Sequence, residues 1–114
     1  EFALDTLMDD LSLYIITPLG LVVIMGCAHR GMINILRQAR ELTGVEKTYM
    51  AVGGSHLKDS TPAQVWQAIS GLNELGVQKL ATCHCTGMPA TMMLAQTYDR
   101  DFIFNQAGSV IKIE

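Results

Sequence analysis

Three strand-length runs of this chain, residues 21–25, 48–52 and 79–81, each pass through a turn set with glycine into a segment of helical character. The first of them, Leu21, Val22, Val23, Ile24 and Met25, is apolar on both faces. That pattern marks a central strand covered on both sides, because a half-exposed strand alternates apolar with polar residues. Strands alternating with helices of this length predict an α/β fold with a mostly parallel sheet, since parallel neighbours must be joined by crossovers.

The helical segments follow from spacing and punctuation. Met32, Ile35, Leu36, Ala39 and Leu42 recur on one face, with Arg37, Gln38, Arg40 and Glu41 opposite, and Gly44 is placed to end the helix in the left-handed region. Thr61 followed by Pro62 and Gln64 predicts a capping box at the start of a second helix. Its buried stripe is Val65, Ile69 and Leu72, with Trp66 at the margin and Gly76 as the stop. Residues 88–98, with Met88, Met92, Met93, Leu94 and Ala95, leave little polar face and predict a third, mostly buried helix. Pro18-Leu19-Gly20 predicts a hairpin between 11–17 and 21–25, and a second hairpin is expected from 102–104 and 109–113. The predicted order is β-β-α-β-α-β-α-β-β.

At 114 residues the chain is read as one domain, 1–114. Its 49% hydrophobic and 17% charged residues describe a packed globular protein rather than a disordered one. The net charge of −3, with eight scattered Lys and Arg, argues against nucleic acid as a partner, because phosphate neutralisation needs clustered cations. No run approaches the roughly 20 apolar residues of a membrane span. Three cysteines, two of them flanking one histidine, do not make a secreted disulfide framework, so a cytoplasmic protein with reduced thiols is expected. A small molecule, as substrate or cofactor, is the partner that remains.

All three histidines stand where a strand gives way to a helix. If the strands are parallel, these exits share one sheet edge, where open α/β sheets bind ligands. Cys27 and His29 after Gly26 offer thiolate and imidazole, both good ligands for a borderline-soft metal, although a cysteine after an apolar strand is more often a small buried hydrophobe. Gly53-Gly54-Ser55-His56 permits close backbone approach, but no phosphate-loop Lys-Ser/Thr follows, and His56 stands equally as ligand or turn residue. In Cys83-His84-Cys85, extended backbone puts the two cysteines on one side and the histidine on the other, so either His84 or the cysteine pair faces the cleft. A disulfide from Cys27 to Cys83 or Cys85 is a further option across neighbouring strands. Asp9 and Asp10 read as solvated charge before an oxygen ligand, and Met88, Met92 and Met93 as core filler before a soft-metal box.

Taken in order, Asp9-Asp10, Gly26-Cys27-Ala28-His29-Arg30-Gly31, Gly53-Gly54-Ser55-His56 and His84-Cys85-Thr86-Gly87 resemble the second half of a metallo-β-lactamase-superfamily domain. Within it they are most similar to the metal-dependent hydrolases associated with dihydropterin and methanopterin precursor synthesis. The resemblance implies half of a four-layer αββα sandwich. It also implies two metal ions, commonly zinc, iron or manganese, that activate water for attack on an ester, amide or phosphoester. By motif match, Cys27 or His29, His56 and His84 are the half's contribution to the metal and substrate pocket. The family's H-x-H-x-D-H signature is absent, since no two histidines here are closer than 27 positions.

Two architectures are therefore expected: a truncated metallo-β-lactamase-like unit whose bare sheet face pairs with a second copy, or a self-contained two-layer α/β sandwich, ferredoxin-like in outline. The leading function is a metal-binding protein using Cys27, His29, His56 and His84, with hydrolase activity inherited in part and its catalytic residues unassigned. The competing one is a haem-binding or redox module using Cys83, His84 and Cys85, since thiolate and imidazole are also haem ligands. A silent scaffold is the third.

Overall fold

The computed structural model describes residues 11–28, 31–58, 60–83, 86–105 and 108–113. Four strands form one sheet: β1 (Ser12–Thr17), β2 (Gly20–Met25), β3 (Thr48–Gly54) and β4 (Lys79–Cys83), in the order β1-β2-β3-β4. The hairpin at Pro18-Leu19 makes β1 antiparallel to β2, while β2, β3 and β4 run parallel. The helices are α1 (Met32–Thr43), α2 (Pro62–Leu75) and α3 (Met88–Tyr98), followed by a 3₁₀ turn at Asp99–Asp101.

Each parallel strand lies beside the one before it in sequence. Crossovers of one hand then deliver every helix to the same face, which yields two layers. The core between them is built from Leu21, Val23 and Met25 of β2, Ala51 and Leu80 beneath, and the predicted stripes of the helices: Ile35, Leu36 and Ala39, then Val65, Ile69 and Leu72. The two-layer α/β sandwich expected from the sequence is what forms. A ferredoxin-like sheet does not: its split βαβ order would separate consecutive parallel strands, and here they are neighbours.

Local chemistry fixes the helix ends as read. Thr61 Oγ1 accepts from the Gln64 amide and Gln64 Oε1 from the Thr61 amide, completing the capping box. Gly44 and Gly76 close α1 and α2 with left-handed backbone. α1 and α2 cross tightly, because a Cβ on Gly71 would come within 2.9 Å of Ile33.

Two further expectations are corrected. α3 is not mostly buried: Ala90 and Leu94 face the core, while Met88 and Met92 are exposed, because α3 lies over the edge strand β4. The C-terminal hairpin does not form among the described residues. Phe102 instead bridges in parallel to Leu80, and the Ile103 amide donates to Leu80 O, so the tail pairs with the free edge of β4.

The sheet face away from the helices carries a small second cluster, Val22, Tyr49 and Met50, over which Ile103 and Ile111 fold. Beside it the β1–β2 side is uncovered by the described residues: Leu11 is 79% and Leu13 59% exposed, with Ile15 and Ile24 also exposed. Among the described residues no helix is long and apolar enough to cross a membrane.

Candidate functional site at the strand exits

The C-terminal ends of β2, β3 and β4 lie on one edge of the sheet. Register sets them side by side, with Met25 paired to Gly53 and Gly54 to Cys83, and the Gly54 amide donates to Gly26 O at 2.9 Å. Gly53 is what lets β2 and β3 meet there. Its φ is +117°, and a Cβ would lie 2.0 Å from Met25 O, so no other residue fits without moving backbone.

Beyond the strands the backbone turns sharply. Ala28 and His56, at the exits of β2 and β3, adopt φ of 59° and 53°, the left-handed region that non-glycine residues avoid. Such conformations persist where surrounding structure over-determines them, and they concentrate at functional sites. The over-determination is visible between β3 and β4. Ser55 Oγ and Thr86 Oγ1 are 2.7 Å apart and buried, and Thr86 Oγ1 donates to Cys83 O at 2.9 Å. Thr86 has one proton and spends it on the carbonyl, so Ser55 is the donor in the shared bond. The two exit turns are thereby fastened to each other.

Of the residues proposed from sequence, Cys27, His56 and Cys83 are described, while His29, His84, Cys85, Asp9 and Asp10 lie outside the described residues. Cys27 and Cys83 are half-buried. His56 lines a hollow of about 210 Å³ with Ala28, Gly31 and Asn34, near the start of α1. Cys83 lines a different cleft of about 250 Å³ between β4, the start of α3 and Phe104. Among the described residues no three His, Cys, Asp or Glu side chains converge on a common point. The sequence reading missed Ser55, Thr82 and Asn105. Asn105 Nδ2 reaches Ala81 O at 3.5 Å and Cys83 Sγ at 3.6 Å, a contact made only because the tail returns along β4.

Consecutive parallel strands that end together at one edge define an α/β protein whose candidate site lies at that edge. No family model matches the chain. It is 36% identical over 109 residues to the 7,8-dihydropterin-6-methyl-4-(beta-D-ribofuranosyl)-aminobenzene-5'-phosphate synthase of Methanocaldococcus jannaschii, covering 96% of this chain and 37% of that protein. It superposes on the crystal structure of Tm1679, a metal-dependent hydrolase of the beta-lactamase superfamily, with a TM-score of 0.83 and 35% identity, over 90% of this chain and 40% of that one. The resemblance to the metallo-β-lactamase superfamily is thus shown in sequence and in structure alike, and the chain spans well under half the length of either relative. The haem or redox alternative at Cys83, His84 and Cys85 gains no support from either.

Proposed function

We propose that this chain contributes one side of a metal-dependent hydrolase centre, with Cys27, His29, His56 and His84 as the donors for a transition ion: zinc, iron or manganese. The observation that carries the reading is the shared edge, where three parallel strand exits are locked together and His56 is held in left-handed backbone. The donor chemistry fits: thiolate and imidazole suit borderline-soft ions, and Cys27 and His56 follow strands that are direct neighbours. A bound ion of this kind supplies Lewis acidity and brings the pKa of water towards about 7.

The chain's own residues build the frame. Gly53 allows β2 and β3 to close, Ser55 and Thr86 fix the turns of β3 and β4, and Asn105 braces Cys83. By likeness to the Methanocaldococcus synthase, the substrate class is a small pterin-related molecule, handled in the cytoplasm. Because the H-x-H-x-D-H motif is absent from this sequence, proton handling by that motif is not assigned to this chain. A second copy, seated on the bare β1–β2 face, is the partner proposed to enclose the site.

Metal analysis of protein purified without chelator tests the reading. About one transition ion per chain, falling severalfold in His56→Ala and Cys27→Ala, supports it. Less than a tenth of an ion per chain, unchanged by either substitution, overturns it.

A further inference from the structure

The cleft between β4 and α3 has a polar inventory that can be followed atom by atom. Thr86 Oγ1 is committed to Cys83 O and to Ser55, and Thr91 Oγ1 donates to Gly87 O at 2.7 Å. Thr82, which also lines the cleft, is only 3% exposed, and its hydroxyl has no hydrogen-bond partner among the described residues. Buried hydroxyls are normally satisfied, so one left open against a cleft points to something that enters it. Asn105, across the cleft, directs Nδ2 to Ala81 O at 3.5 Å and to Cys83 Sγ at 3.6 Å, which leaves its Oδ1 to accept from a ligand.

The remaining walls set the ligand's character. Among the described residues no Lys, Arg, Asp or Glu lines the cleft, so an ion would have no counter-charge from them. The start of α3 is a poor anion site, because Pro89 removes one of the amides that would face it. Phe104 and Met88 are both exposed at the mouth, and the Phe104 ring is propped edge-on against Phe102, 5.0 Å between centroids. An exposed ring held at a fixed angle, with a thioether nearby, is a surface for a flat ring. The space of about 250 Å³ suits one or two fused rings.

We infer that the cleft bounded by Thr82, Met88, Phe104 and Asn105 binds an uncharged planar heterocycle whose amide-like edge pairs with the Thr82 hydroxyl and the Asn105 carboxamide. As a statement about substrate this rests on the metallo-hydrolase reading. As a binding site it stands on the cleft alone, since Cys27 and His56 do not line it.

The test is a titration of the full chain, stripped with chelator, with pterin as an uncharged bicyclic probe and inorganic phosphate as the charged control, followed by ligand fluorescence and backbone amide shifts. Saturable pterin binding is expected, with shifts at residues 82, 91 and 105 and none from phosphate. Thr82→Val should weaken binding about tenfold while leaving the unfolding midpoint equal or higher, because it removes a buried hydroxyl that has no partner in the free protein. Thr82→Ser should bind within about twofold of the parent by keeping the hydroxyl. Phe104→Ala, at an exposed position, should weaken binding whatever Thr82→Val does to folding. Equal pterin affinity in the parent and Thr82→Val, no saturation at millimolar probe, or displacement of pterin by phosphate overturns the inference. Pterin binding by a chain that takes no metal would fail the hydrolase reading alone. Metal binding without pterin binding would fail this one alone.

Discussion

Thr86 is the residue on which the exit turns depend most, because it both accepts from Ser55 and donates to Cys83 O. Removing either hydroxyl has unequal consequences. Ser55→Ala takes away a donor but leaves Thr86 bonded to its carbonyl, and should cost about 1 kcal/mol of stability. Thr86→Val strands the buried Ser55 hydroxyl and takes a donor from the half-buried Cys83 O, and should cost about 2–3 kcal/mol. Urea unfolding of the two variants checks the order, and Thr86→Ser should recover most of the loss. Equal costs would mean the bond is not built as described. His-Cys-Thr-Gly is legible in the sequence as a motif. That its threonine reaches a serine 31 positions earlier is not, because nothing local encodes a contact between two turns.

At the level of elements, whatever is written in neighbouring residues was readable. The capping box, the left-handed glycines and the apolar stripes of α1 and α2 each rest on contacts within a few positions. The chain after α3 was not, because its pairing is decided by the open edge of β4 twenty-odd residues earlier rather than by its own alternation. The apolar composition of α3 overstates its burial for a related reason: an edge position gives even an apolar helix little to cover. Its far end is nonetheless anchored. Tyr98 donates its hydroxyl to Val77 O at 3.1 Å, tying the end of α3 to the approach of β4. Burial, aided by the nearby Asp101 carboxylate, pushes the Tyr98 phenol up from 10.0 to about 12. The fold therefore favours the protonated phenol, while the unfolded chain releases that proton from about pH 10. This anchor's stability should be intact below pH 10 and lost as pH rises through about 12. Phenolate absorbance should show a late-titrating tyrosine that vanishes in Tyr98→Phe, together with this share of the alkaline loss of stability. A Tyr98→Phe titration identical in its upper range to the parent's would contradict the anchor.

Over the whole molecule the sheet has one face sealed by three helices and one only half covered by the tail, leaving Leu11, Leu13, Ile15 and Ile24 exposed together. Residues 13 and 24 are register partners, as are 15 and 22, so these side chains form a continuous apolar strip. Apolar strips of this kind mark interfaces. Sedimentation should show concentration-dependent association that Leu13→Lys abolishes without unfolding the chain. A monomer at every concentration, indifferent to Leu13→Lys, would remove the second copy from the account. Sulfur and imidazole donors from separate strand exits are proposed to serve one ion, and cobalt(II) titration of the chain reads this arrangement. Visible d–d bands saturating at about one equivalent, with a sulfur-to-cobalt charge-transfer band lost in Cys27→Ala and altered bands in His56→Ala, are the result predicted. A spectrum of free aqueous cobalt throughout, or bands indifferent to both substitutions, would contradict it.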